Sequence, residues 1–366
     1  MRTPLIDRRD FLRAAGAGFA AAMAPSAWAA TLAADAVFAT AFVRRDGSYG
    51  AGILSEEGKL LYAVDLPDRG HGMTLDPASR RAIVFPRKPG TLAVAFDHGG
   101  KDEPVTIAAP AGRHFYGHGV FSPDGALLYA TENDFDAAAG MVGVYDAGDR
   151  FRRVGEFATH GVGPHEMVLL GDGRTLAVAN GGIETHPDFG KAKLNLATMK
   201  PSYVLIDRLT GDLLEKHELP ADLHKLSIRH MDIDAQGAVW FSCQYEGATL
   251  DRPPLVGKAE RGRELQLLDM PEKVLNGLRN YIGAMAANRE AGTMAVSSPA
   301  GNSYVVFDTA SGGIVSAISL TEVCGIAPDR AGFIASSGAG AIVAPHRPAV
   351  SEPDYVWDNH MLRITA

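Results

Sequence analysis

Gly119-Val120-Phe121-Ser122-Pro123-Asp124-Gly125-Ala126-Leu127-Leu128-Tyr129-Ala130 sets an apolar run, a tight turn and a second apolar run within a dozen residues. Proline presets one turn dihedral, glycine supplies positive φ, and the serine and aspartate side chains bond to their own backbone, so the middle of the stretch must turn. The flanking runs are too short for helices and read as strands, which makes the whole an antiparallel pair. The same pattern returns at residues 72–85, 167–179, 231–242, 284–297 and 325–336, and a further strand ending in aspartate follows at 92–97, 142–146, 203–207, 265–269 and 304–308. Self-similarity at this period, without helical periodicity, predicts four-stranded antiparallel sheets repeated around an axis.

The expected fold is therefore all-β, a seven-bladed β-propeller. Six blades follow from the repeats. The closing blade would combine strands around 37–43, 49–54 and 60–66 with one from residues 359–365. Pairing the two chain ends removes the open edges that expose any sheet to aggregation. One domain over residues 30–366 is expected.

Composition agrees. The chain has 366 residues, 46% hydrophobic and 21% charged, with 41 Gly and 21 Pro spread along its length, which disfavours a helical bundle. A formal net charge of −8 would repel a phosphate backbone, so nucleic acid is excluded as a partner. The only cysteines, Cys243 and Cys324, fall in different blades and rule out a disulfide framework. There is no haem-attachment motif, phosphate loop or serine-hydrolase elbow.

Residues 1–29 read as an export signal. Asp7-Arg8-Arg9-Asp10-Phe11-Leu12-Arg13 precedes a mild Ala/Gly-rich stretch and Ala27-Trp28-Ala29. This is similar to a twin-arginine signal with an A-x-A cleavage site. A folded, soluble, monomeric periplasmic protein is expected, with no membrane span after cleavage.

The repeats resemble YVTN-type propellers. Arg113-His114-Phe115-Tyr116-Gly117-His118-Gly119, Gly163-Pro164-His165-Glu166, Ala179-Asn180-Gly181-Gly182-Ile183, Ser227-Ile228-Arg229-His230, Gln244-Tyr245-Glu246-Gly247 and Trp357-Asp358-Asn359-His360 resemble the bacterial domain-of-unknown-function family 1513. The resemblance spans essentially all of the chain after the signal. It implies an exported propeller without a settled activity, in the setting of periplasmic iron acquisition beside imelysin-type and di-haem proteins.

The histidines carry the chemistry. His118 lies 7 residues before Gly125, His165 lies 8 before Gly173, His230 lies 7 before Gly237, Cys324 lies 8 before Gly332 and His71 lies 8 before Ser79. His360 opens the expected closing strand. One register in successive blades brings these side chains together where the innermost strands begin, and imidazole and thiolate are transition-metal ligands. His71, His118, His165, His230 and His360 form the expected ligand pool for iron or copper, with Cys324 a soft ligand for copper. Glu132 and Glu166 are candidate proton carriers. Arg229 is a candidate for an anionic substrate. One blade lacks a ligand and offers Tyr281 nearby, so that sector is expected to be open or to hold substrate. The insertions at 183–201 and 247–262 would roof the site. Two other readings stay open: a metal-independent enzyme of lactonase or lyase type using His and Glu as acid and base, and a non-catalytic module docking periplasmic iron-uptake proteins.

Overall fold

The computed structural model describes residues 37–364 apart from 331 and 346. The export signal expected at the N-terminus lies outside the described residues. Seven four-stranded antiparallel sheets make up the molecule, a seven-bladed β-propeller as the repeats predict. Six sheets are built in chain order. The first blade takes its inner strand, Tyr355–Arg363, from the C-terminus and its other three, Phe38–Arg44, Tyr49–Leu54 and Leu60–Leu66, from the start of the described chain.

That shared blade is closed by aromatic packing. Phe42 meets Tyr355 and Trp357 edge-on at centroid distances of 4.6 and 5.7 Å. Gly50 and Gly52 make room for it: a Cβ on Gly50 would lie 2.5 Å from the Phe42 ring. Each large buried apolar side chain here contributes about 1.5–3 kcal/mol. The closing strand is longer than expected, because Tyr355 and Trp357 are drawn into it ahead of residue 359.

The turns behave as their chemistry requires. In the third blade Ser122 Oγ donates to the Asp124 carboxylate and accepts from the Leu127 amide, and Gly125 takes φ +69°. Between blades, inward-facing alanine and branched residues pack against their neighbours, with Trp240 and Phe307 at 5.9 Å as the largest such pair in the fifth and sixth.

The fifth blade departs from expectation. Its third strand is Val256–Ala259, within the stretch read as an insertion, and Gln266–Leu267 forms the fourth. The second insertion is thereby reduced to the loop between Tyr245 and Val256. A single α-helix among the described residues, Glu272–Leu278, leads into the sixth blade and buries Leu275 and Leu278. No helix among them is long and apolar enough to cross a membrane.

Candidate metal centre

In six blades the pairing of inner and second strands slips at the expected ligand. The shifts fall between Gly70 and Met73 around His71, Phe115 and Gly119 around His118, and Pro164 and Glu166 around His165. Others fall between Ile228 and Met231 around His230, Val323 and Ile326 around Cys324, and opposite Thr40 and Phe42 around His360. The sixth blade, whose inner strand Ala284–Asn288 has neither imidazole nor thiol, pairs without a shift. A bulge leaves residues unpaired and re-aims their side chains, and such bulges gather beside functional sites. The expected ligands thus sit at bulges inside strands, not at the first strand residues that the register alone predicts.

Backbone groups freed by the bulges are satisfied from the second strand. Thr131, Ser242 and Thr40 donate through Oγ to the carbonyls of His118, His230 and His360 at 3.0, 3.4 and 2.7 Å. Glycine makes room between the imidazoles. A Cβ on Gly72 would sit 2.6 Å from His118 Nδ1, and one on Gly117 would sit 2.5 Å from the His71 ring.

The result is five imidazoles converging on the axis. His71 and His360 lie 4.6 Å apart between ring centroids, His118 and His360 4.7 Å, His165 and His230 4.7 Å, and His230 and His360 4.8 Å. Two trios place one donor atom per residue within 4.8 Å of each other: His71, His118 and His165, and His118, His230 and His360. The Nε2 atoms of His118, His165 and His360 are buried with no hydrogen-bond partner. Buried polar atoms are rarely left so. Burial holds His118, His165, His230 and His360 well below the usual histidine range, with repulsion from neighbouring charges adding to it. These rings are neutral near pH 7 and each has a lone pair to give.

Which lone pair faces inward depends on the second ring nitrogen. Glu166 lies between two rings, with Oε1 3.5 Å from His118 Nδ1 and Oε2 3.1 Å from His230 Nδ1, and also accepts from the Met231 amide at 3.1 Å. A carboxylate there takes the Nδ1–H of both rings and leaves their Nε2 lone pairs free. At His165 the logic reverses. Arg229 Nη1 lies 3.3 Å from His165 Nδ1, and a guanidinium can only donate. His165 must therefore accept at Nδ1 and hold its proton on Nε2, facing the other rings as a donor. His71 Nδ1 lies 4.0 Å from Asp358, whose carboxyl burial would raise but which His71 and Arg69 together hold well below the usual range.

The remaining predicted residues lie elsewhere. Cys324 belongs to neither trio of donors; its thiol, pushed up to about 12 chiefly by burial, donates to the Glu322 carbonyl at 3.2 Å. Glu132 turns away from the imidazoles because it shares a strand face with Leu128 and Ala130. It accepts from Tyr145 at 2.5 Å and Arg153 at 2.8 Å, in space left by Gly143. Arg229 reaches the centre at His165 and stands 3.7 Å from Glu246. Tyr281 is not among the imidazoles. It bridges to Gln244 and lines a cleft in the sector of the sixth blade.

The first insertion does cross this face. Thr185 bonds to Tyr116, His186 lies 3.4 Å from Asp136, and Lys193 pairs with Glu246. Asp358 and Arg69 were not singled out in the sequence, although Asp358 stands two residues from His360. That adjacency was the available signal.

Comparison with known proteins fixes the family and little more. The profile of the family described as "Protein of unknown function (DUF1513)" matches residues 64–364. None of the curated proteins matches. Among solved structures, Kuenenia stuttgartiensis hydrazine synthase is similar with a TM-score of 0.59 and 14% identity, over 84% of this chain and 90% of that one. At that identity the likeness concerns the propeller fold alone.

Proposed function

This chain belongs to that family of unknown function, and we propose that it binds a transition metal ion, iron or copper, on the propeller axis. His118, His230 and His360 are the ligands, and Glu166 orients the first two. The observation that supports this reading is the single carboxylate set against the Nδ1 atoms of two rings from different blades. Carboxylate, histidine and metal in that order form the usual outer support of a histidine metal site. Donors of one ion, bound at about 2.0–2.1 Å, stand roughly 3–4 Å apart, and those of this trio already lie within 4.8 Å of one another.

Charge supports the same conclusion. Burial pushes the Glu166 carboxyl well above the usual carboxylate range, with the Met231 amide opposing it. Neutral rings and a carboxyl reluctant to ionise make a cage in which a cation is the missing charge. His165 contributes an N–H, so it would bond to an oxygen beside the ion instead of binding the ion itself. The ion would supply Lewis acidity or a redox couple; the chain supplies three neutral ligands, one donor and a carboxylate that orients two of the rings.

The export signal and the family resemblance support a periplasmic role in iron acquisition, with imelysin-type and di-haem proteins as partners. The test is elemental analysis of protein purified after native export, beside a variant carrying His118→Ala, His230→Ala and His360→Ala. Near-stoichiometric iron or copper in the parent, and none in a variant with an unchanged circular dichroism spectrum, is expected. No metal in the parent after supply of both ions would overturn the reading.

A further inference from the structure

We infer that the cleft beside the sixth blade is a binding site for a small organic polycarboxylate. The cleft encloses about 590 Å³ and is lined, among others, by Lys193, Glu246, Arg252, Asn276, Arg279 and Tyr281. This volume is ordinary for a small-molecule site. It opens in the sector where the ring of imidazoles is interrupted, beside the sixth inner strand Ala284–Asn288, which carries no histidine.

Charge selects the ligand. Three cationic side chains line the cleft against one carboxylate, Glu246, which already pairs with Lys193 and stands 3.7 Å from Arg229. The whole chain carries −8, so this positive patch runs against the overall balance. A concave wall focuses such a field on an entering anion. Arg279 is exposed and makes no hydrogen bond or ion pair among the described residues. Its backbone is in the left-handed region at φ +49°, followed by Asn280 at +58°.

Geometry selects the number of charges. Lys193 comes from the first insertion, Arg252 from the loop after Tyr245, and Arg279 from the end of the helix Glu272–Leu278. Arg252 is held by Asn276 and by the carbonyls of Thr249 and Asp251, so it is fixed in place. A single inorganic anion would touch one wall of a 590 Å³ space. Two or three carboxylates on a short carbon skeleton would engage several walls at once. Glu246 and Arg229 connect the cleft with His165, which places such a ligand beside the imidazoles without requiring a metal for its binding.

The experiment is isothermal titration calorimetry of the full chain after its signal, both as purified and stripped of metal, with citrate, inorganic phosphate and glucose. Citrate is expected to bind both preparations, more tightly than phosphate, with no binding of glucose. Arg279→Met should weaken citrate at least tenfold and Arg279→Glu should abolish it, with thermal midpoints unchanged. Arg263→Met, remote from the cleft, should bind as the parent does. Citrate binding only to the metal-loaded protein would place it on the ion and overturn the cleft. Equal binding of phosphate, or an Arg279→Met variant as tight as the parent, would overturn it too. Failure here leaves the metal content, measured separately, untouched.

Discussion

Two glutamates, both marked by the sequence as proton carriers, end up in opposite electrostatic settings. Glu132 is sealed inside the third blade, where Tyr145 and Arg153 donate to its two oxygens at 2.5 and 2.8 Å. Every lone pair that matters there is answered from within the blade. Glu166 instead sits between blades, against His118 and His230, and burial makes its charge unfavourable. A carboxylate with a guanidinium partner holds a fold together. Glu166 has neutral imidazoles for partners, one of them with an unpartnered Nε2 atom, and no cation offsets its charge. Burial alone therefore says nothing about function; what separates the two is whether the surrounding donors are already spent.

Removing the satisfied carboxylate should hurt stability most. Glu132→Ala leaves the buried Tyr145 hydroxyl without its acceptor and Arg153, partly exposed, with Glu156 alone, which costs about 3 kcal/mol, the lower end for breaking a buried pair. Urea unfolding should show this as a lower midpoint, with metal content per folded molecule unchanged. Metal loss in that variant would erase the distinction between the two glutamates.

Acid should act on the other cluster. The imidazoles of His71, His118, His165, His230 and His360 titrate below their ordinary value of 6.5 when folded. The unfolded chain then binds more protons than the folded one once the pH falls below about 6.5. Stability is full above that value and declines as pH drops toward the folded values, by up to about 1.4 kcal/mol per pH unit for each ring. Glu166, raised, works in the opposite sense: its contribution is present at low pH and is lost as pH rises. Five rings outweigh one carboxyl, so metal-free protein should lose thermal stability between pH 6.5 and 5. A flat profile would mean that the rings take up protons in place.

The fold was legible because its signals are local. The turn at Ser122–Gly125 and its copies are read in a few residues, and a shared offset from those turns was enough to group His71, His118, His165, His230 and His360. The bulges that aim them were not legible, since a bulge is a property of two strands in register and appears only once pairing is known. Glu132 could have been placed correctly by period-two alternation, which puts it with Leu128 and Ala130. The orienting roles of Glu166, Asp358 and Arg229 depend on contacts between blades such as 3.1 Å from Glu166 to His230 and 3.3 Å from Arg229 to His165. Sequence separations of 64 residues hide those contacts.

Glu166→Gln sharpens the comparison from the other side. The amide keeps the shape and can still accept from one ring, but loses the charge that orients two. Losing an outer partner of this kind costs about 10- to 100-fold in metal affinity, or roughly 1.4–2.7 kcal/mol. Competition with a chromophoric chelator should read this directly. The urea midpoint of the metal-free variant should equal or exceed that of the parent, because an unfavourable buried carboxyl has been removed.

The smallest effect is expected at Cys324, which shares the histidines' register and their bulge but not their environment. Its thiol is kept protonated by burial, and it donates to the Glu322 carbonyl two residues away instead of facing the rings. A thiolate ligand would have to give up that bond and lose its proton against the nearby Asp358 charge, which works in the unfavourable direction. Serine replaces the sulfur with a smaller oxygen that can make the same bond. Cys324→Ser should thus change stability by less than about 1 kcal/mol and leave copper and iron content as in the parent. A copper stoichiometry that fell in this variant while iron did not would show that the thiol turns inward for a soft ion, and would bring the seventh blade into the metal centre alongside the five imidazoles.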